Sequence, residues 1–145
     1  MRRATLIRGL SGLLLFAAAL PAAAADVGDF FRAIVQDDET AMRRLLARGV
    51  DPNSRNDKGV PGHVLALQED RYQVARVLLD SPRLKPEERN RAGESPLMIA
   101  ALKGELEIAR RLIALDADVN KPGWTPLHYA ATNGHLALME LLLEE

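Results

Sequence analysis

The stretch that decides the fold is TPLHYAATNGH, which occupies residues 125–135. Thr125 can cap the amino end of a helix with its hydroxyl, and Pro126 suits the first helical position. The small pair Ala130–Ala131 lets another helix approach closely. Gly134 can adopt a positive φ and end the helix, after which a second apolar period begins. The stretch therefore predicts a helix, a turn and a second helix.

The same pattern recurs upstream at regular offsets. Shifted by 30 residues, Ser95–Leu97 and Ala100–Ala101 align with the matching positions of this stretch. A shift of 34 brings Gly59 onto Gly93, and a further shift of 33 carries the register back to Ala33. Because a fixed period of this length is typical of repeat proteins, we predict four units. Their approximate bounds are residues 29–56, 57–90, 91–120 and 121–145.

These residues resemble the ankyrin repeat, whose pattern reads T-P-L-H-x-A-A-x-x-G-H before an apolar helix that ends in a leucine pair. The family's loop signature, G-A-D-V-N, is echoed at residues 49–53 and 116–120. The resemblance covers about residues 29–145 and implies an all-α ankyrin-repeat solenoid with finger-like turns. A chain that is 48% hydrophobic but only 4% aromatic also suits closely stacked helices.

Three segments depart from the family pattern. The offset of 30 leaves a deficit in residues 116–123, so we expect the last finger to be short. Residues 81–88 contain two prolines and are longer than the pattern, so we expect a bulge or a variant turn there. Residues 61–63 replace the T-P-L start with Pro, Gly and His, so the cap of that helix should be degraded.

The first 25 residues have the pattern of a cleavable signal peptide. Arginines stand at positions 2, 3 and 8, residues 13–20 are apolar, and Ala23–Ala25 supplies an A-x-A site. We expect Sec-type export and cleavage after Ala25, which places the mature protein in the periplasm or outside the cell. The short, alanine-rich leader is typical of bacteria. The alternative is an uncleaved membrane anchor, but the apolar run is shorter than the ~20 residues needed to span a bilayer.

Charge argues against two classes of partner. Removing the leader takes three of the 19 basic residues and leaves 16, against 20 acidic residues, so the net charge of the mature chain is −4. Nucleic-acid binding and a membrane-surface role are disfavoured because no dense cluster of Lys and Arg remains. The chain also lacks cysteine, so helix packing has to supply its stability without disulfides.

Few groups are available for catalysis or metal binding. His63, His128 and His135 are the only imidazoles, and none has a metal-ligand spacing within one helix. The resemblance implies a structural role for His128, at the motif position that bonds between neighbouring loops. Adjacent carboxylates such as Asp37–Glu39 are typical of solvated helix starts. We therefore expect a non-enzymatic protein with no cofactor and no metal; the alternative is a metal or small-molecule binder that uses His63 or His135.

The resemblance also implies protein binding through the finger turns and the exposed side of each first helix. Trp124 is the leading candidate because it is the only tryptophan and precedes the helix cap; the alternative for it is packing between fingers. Leu102, which the register places on the exposed side, comes next. The matching positions are Lys121, Trp124, Thr132 and Asn133 in the last unit, Arg91, Glu94, Leu102 and Lys103 in the third, and Asp57, Lys58, Val60, Gln68 and Glu69 in the second.

The function predicted from these patterns is a monomeric adaptor, scaffold or protective partner that binds a protein of unknown identity. Tyr129 and Phe30–Phe31 are expected in the core. The chain ends at Leu141–Glu145 without a polar cap. This indicates a second possibility, in which the chain is the amino-terminal ankyrin part of a larger exported protein whose activity lies beyond residue 145.

Overall fold

The computed structural model describes residues 19–145, with side chains from Asp26 onward. In this part of the chain every regular element is a helix, and strand pairing is limited to one isolated bridge between Arg55 and Pro61. The all-α prediction is therefore confirmed. The helices are α1 (Ala19–Gln36), α2 (Glu39–Ala47), α3 (Gly62–Gln68), α4 (Tyr72–Leu79), α5 (Pro96–Lys103), α6 (Leu106–Ala114), α7 (Pro126–Thr132) and α8 (Leu136–Glu144).

The predicted signal peptide lies mostly outside the described residues. Residues 19–25 form the start of α1, and residues 1–18 are not described. From residue 19 onward, the helices are all too short or too polar to cross a membrane. Cleavage after Ala25 stays a prediction.

The helices form four helix-turn-helix units that stack in two layers. An inner layer consists of α1, α3, α5 and α7, in which each helix contacts the next, and an outer layer consists of α2, α4, α6 and α8. The contact between α5 and α7 is the most extensive of all. This arrangement confirms the predicted helical-repeat solenoid.

Helix starts follow the local sequence where the motif is intact. Ser95 Oγ accepts a hydrogen bond from the amide of Met98 at 3.2 Å, and Pro96 opens α5. Pro126 opens α7 in the same way after Thr125. At α3 the capping residue is Pro61, which offers no side-chain acceptor, so the predicted loss of that cap is confirmed.

The turn inside each unit requires a left-handed residue at one equivalent position. This residue is Gly104 (φ 76°) in the third unit and Gly134 (φ 68°) in the fourth. In the first two units it is Asp37 (φ 51°) or Asp70 (φ 57°). An aspartate tolerates this conformation better than most residues with a Cβ atom, because its short side chain can bond locally. The decayed motif therefore preserves the turn geometry with a different residue.

One of these aspartates also compensates for a missing cap. The carboxylate of Asp37 accepts the amide of Val74 at 2.9 Å, near the start of α4. The capping position of α4 is Arg71, which makes no side-chain cap of its own. A side chain of the first unit therefore caps a helix of the second unit. The local sequence around α4 does not indicate this contact.

The core lies between the two layers and reaches from Phe30 to Leu142. Ala100 and Ala130 are both fully buried, as their register predicts. Phe30 is fully buried and meets Phe31 edge to face, with ring centroids 5.1 Å apart. Phe31 and Tyr129 are half-buried, at the border of the core.

The burial of Ala100 generates a stability prediction. Ala100→Glu places an unpaired carboxylate in the core between the two layers, so we expect the free energy of unfolding to fall on the order of 3–5 kcal/mol. Denaturant unfolding followed by circular dichroism measures this loss. Ala137→Glu is the matched control, since Ala137 is exposed in the first turn of α8 and should change stability by less than about 0.5 kcal/mol. Equal stability of both variants would show that the packing register is wrong.

Candidate functional site

Three finger tips, at residues 56–59, 90–93 and 120–123, project between the units. An asparagine side chain shapes each of the first two. Asn56 Oδ1 accepts the amides of Lys58 at 3.0 Å and Val60 at 2.9 Å. Asn90 Oδ1 accepts the amides of Ala92 and Glu94, both at 3.0 Å. These bonds hold the tips in a fixed shape, since Asn side chains can replace the backbone acceptor in a turn.

Arginines fasten neighbouring fingers to one another. Arg55 Nη1 donates to the carbonyls of Gly59 and Arg89, both at 2.8 Å, and its guanidinium pairs with Glu88. Arg89 repeats part of the arrangement one unit later by donating to the carbonyl of Gly93 at 3.2 Å. Neither arginine is among the contact residues predicted from the sequence. The signal was the recurrence of R-N-x-x-G at residues 55–59 and 89–93.

The third finger is short, as predicted. Asn53 and Asn120 are equivalent, because the backbone amide of each donates to the side chain of the aspartate two residues earlier, at 2.9 and 3.1 Å. Six residues separate Asn53 from Val60, but only three separate Asn120 from Trp124. The longer loop at residues 81–88 is also confirmed, and it contains two successive turns, closed by bonds from residue 84 to 81 and from 88 to 85.

Trp124 is the most exposed aromatic residue beside these fingers. Its side chain is 65% exposed, whereas Val60 and Glu94, at the equivalent positions of the earlier units, are half-buried. The indole meets the ring of His128 at 5.3 Å and the ring of Tyr129 at 6.3 Å, both edge to face. Edge-to-face contacts of this kind are favourable and fix the orientation of a ring. Trp124 is thus exposed but supported.

Tyr129 is in turn held by the neighbouring unit. Its hydroxyl donates to Glu94 Oε1 at 3.1 Å, and Asn90 Nδ2 donates to Glu94 Oε2 at 2.7 Å. The pKa of Tyr129 is raised mainly by burial and secondly by the hydrogen bond to Glu94. The phenol therefore stays protonated and remains a donor. The second finger therefore positions the ring on which Trp124 rests.

Several predicted contact residues are already used in stacking. Lys103 Nζ donates to the carbonyl of Gln68 at 3.1 Å and to Asp70 at 2.8 Å. Asn133 Nδ2 donates to the equivalent carbonyl of Leu102 at 2.8 Å. Lys121 Nζ likewise donates to the carbonyl of Gly93 at 3.2 Å. Each of these side chains links one unit to the preceding one.

Leu102 is not on an exposed side, contrary to the expectation. It is half-buried, and the last unit places two polar groups against its backbone carbonyl. The second of these groups is the Nε2 atom of His135, at 2.9 Å. Sequence register alone could not reveal this contact, since it depends on how closely the last two units approach.

The three histidines lie in different environments. His128 Nδ1 accepts the amide of Thr125 at 3.1 Å and lies 2.8 Å from its hydroxyl, so its contacts are within its own unit rather than between loops as expected. His135 bridges to the third unit through Leu102. His63 is buried in α3. Across residues 19–145, no three metal-ligating side chains converge.

The residues left for a partner are those whose side chains are exposed and make no polar contact, although Arg91 also lies against Gly59 of the preceding finger. Asp57, Lys58, Glu69, Arg91 and Trp124 are exposed, and none of their side chains makes a hydrogen bond or ion pair within the described part of the chain. Of the other predicted contacts, Thr132 is exposed and bonds to its own helix, whereas Val60 and Gln68 are half-buried. We call the five exposed and unbonded residues, Asp57, Lys58, Glu69, Arg91 and Trp124, the finger surface.

Comparison with known proteins decides the family. The profile described as "Ankyrin repeats (3 copies)" matches residues 30–122 and again 63–145. The chain belongs to the ankyrin-repeat family. Ankyrin repeats are protein–protein interaction modules and are generally non-enzymatic. The repeat architecture, the fingers and the paired helices described above are all accounted for by this membership.

Individual relatives agree with this assignment. An ankyrin repeat-containing protein of Schizosaccharomyces pombe is 33% identical over 105 residues, which is 66% of this chain and 44% of that protein. Protein phosphatase 1 regulatory subunit 12A of Mus musculus is 33% identical over 112 residues, which is 74% of this chain and 10% of the relative. Human inversin is 36% identical over 84 residues, which is 56% of this chain and 8% of inversin. The matched region is less than half of each relative.

The two turn glycines of the ankyrin motif provide a matched pair for a prediction. A Cβ atom at Gly104 would lie 2.6 Å from the His135 ring, whereas one at Gly134 would meet nothing within 4 Å. We expect Gly134→Ala to cost about 1–2 kcal/mol, because only the left-handed backbone opposes it. Gly104→Ala should cost about 1–3 kcal/mol more, because the ring has to move.

Denaturant unfolding of both variants measures the difference. Adding His135→Ala to Gly104→Ala removes the obstructing ring, so the double variant should recover part of the excess loss despite losing the bond to Leu102. Equal losses for the two glycine variants would argue against the contact between Gly104 and His135.

Proposed function

We propose that this chain binds a partner protein through the finger surface, with Trp124 as the central contact. The observation that carries the proposal is a large aromatic side chain, 65% exposed, supported by two other rings at the short third finger. Exposed aromatics are costly to leave in water, and tryptophan is enriched among residues that dominate binding energy. A binding role explains why this position departs from its half-buried equivalents.

The proposed binding mechanism is recognition by a preorganised surface. Arg55, Asn56 and Asn90 hold the first two finger tips in place before any partner arrives. Little conformational entropy is then lost when Asp57, Lys58 or Arg91 contacts a partner, and this loss is a main cost of association. The fixed tips favour a partner with a complementary, ordered surface.

The charges of the finger surface are mixed, because Asp57 and Glu69 are acidic whereas Lys58 and Arg91 are basic. Such a pattern favours a partner of matching mixed charge and gives specificity rather than strong long-range attraction. It also agrees with the net charge of the mature chain, which disfavours capture of a highly charged polymer. We propose an adaptor, scaffold or protective role on this basis.

The test is affinity capture with the tagged protein and its Trp124→Ala variant. We expect a crosslinked partner to be recovered by the parent and lost by the variant, with at least a tenfold fall in affinity when the purified pair is titrated. Leu136→Ala is the matched control, because Leu136 is 70% exposed but lies on α8, outside the finger surface. Circular dichroism checks that all three proteins are folded.

Two results would contradict this assignment. If the Trp124→Ala variant recovered as much partner as the parent, Trp124 would have a packing role and not a binding role. Loss of the partner with Leu136→Ala, but not with Trp124→Ala, would move the binding surface to the outer side of the last unit, where Leu143 is also 70% exposed.

We further propose that the protein acts outside the cytoplasm after removal of residues 1–25. The support is the basic, apolar and A-x-A sequence of the leader. Intact-mass analysis of the native protein should find a chain that begins at Asp26 in the exported fraction. Ala25→Arg should block cleavage, because the site requires small residues. A full-length chain confined to the cytoplasmic fraction would contradict export.

A further inference from the structure

The second unit contains a buried imidazole that has no hydrogen-bond partner. His63 is 1% exposed, and both its ring nitrogens are inaccessible to solvent and make no hydrogen bond. The equivalent position in the third unit is Leu97, which is fully buried. A buried polar group without a partner is costly, and only a few occur per hundred residues of a native protein. The site is therefore built for an apolar side chain, but a titratable one occupies it.

The surroundings of His63 disfavour a positive charge. The preceding residue, Gly62, packs so closely against Phe30 and Ile34 of α1 that a Cβ atom would lie 2.4 Å from the Phe30 ring, which leaves little room for water between α3 and α1. The charged groups that act on the imidazole are Glu88 and Arg55, from two successive finger loops. Arg55 repels an imidazolium, and Glu88, which attracts one, is already paired with Arg55.

We propose that His63 makes the second unit an acid-sensitive element, which opens locally when the imidazole takes up a proton. Opening lets water reach the ring, and it separates α3 from α1 and loosens the finger tip at residues 56–59. The equivalent residues of the other units are Phe30, Leu97 and Leu127, which do not titrate, so those units lack the trigger. The device does not depend on the proposed function. If that function holds, acid also disorganises Asp57, Lys58 and Glu69 and weakens partner binding.

The direction of the pH effect follows from linkage. Desolvation lowers the pKa of His63 from its ordinary 6.5 to about 4, against a smaller opposing effect of Glu88. As the pH falls below 6.5, the open or unfolded chain therefore takes up a proton that the native unit does not. Above pH 6.5, His63 is neutral in both states and does not change the free energy of unfolding with pH. Between about pH 6.5 and pH 4, this free energy falls because only the open or unfolded state is protonated. Protonation of His63 should raise the equilibrium constant for opening about 30-fold at pH 5, relative to neutral pH. Well below pH 4 the increase approaches about 300-fold.

The test compares the full chain with His63→Leu, which installs the residue found at the equivalent position. Urea unfolding at pH 7.5 and pH 5.0 gives the change in the unfolding constant for each protein. We expect the wild type to be destabilised about 30-fold more than His63→Leu over this interval, because carboxylate effects are common to both. His63→Gln, which is polar but does not titrate, should also lose this excess. His128→Gln, at an exposed histidine, should keep it.

Hydrogen exchange locates the opening. At pH 5.0, after correction for intrinsic rates, the amides of α3 and α4 should lose protection relative to those of α5 and α6 in the wild type but not in His63→Leu. The proposal is overturned if His63→Leu keeps the full pH dependence of the wild type. It is also overturned if acid lowers protection equally in every unit.

Discussion

The close approach of the inner helices α5 and α7 is the constraint on which the rest of the structure depends. Ala100 and Ala101 of α5 and Ala130 of α7 are fully buried, and small side chains allow packed helices to come near. This approach brings Asn133 and His135 against the carbonyl of Leu102. It also sets the finger tips side by side, so that Lys121 reaches Gly93. Apolar packing therefore positions the polar contacts between units.

The polar side chains of the inner surface divide into two groups. Lys103, Lys121 and Asn133 donate to carbonyls of the preceding unit, at the ends of helices and turns. Asp57, Lys58 and Arg91 extend from tips whose backbone is already satisfied by asparagine. The first group supports the stack, and only the second is available to a partner without disturbing it.

The amino-terminal half of the solenoid maintains the same geometry with less regular residues. Asp37 and Asp70 take the left-handed position that Gly104 and Gly134 occupy later in the chain. Asp37 also supplies the cap that α4 lacks. His63 is the exception, because nothing in the described residues compensates its buried nitrogens. A buried polar group without a partner costs stability, and the apolar residues at the equivalent positions of the other units avoid that cost.

The repeat period, the helix pairs and the buried alanines were predictable from the sequence, because they follow from local spacing and from the intact motif at residues 125–135. The short third finger was predictable from the 30-residue offset alone. The tertiary structure decided which candidate residues remain exposed. Leu102 and Lys103 match the family's contact positions, but they contact the neighbouring units. The cross-unit contacts of Arg55, Asp37 and His135 join residues 33 to 37 positions apart, so the local sequence does not identify the partner of each side chain.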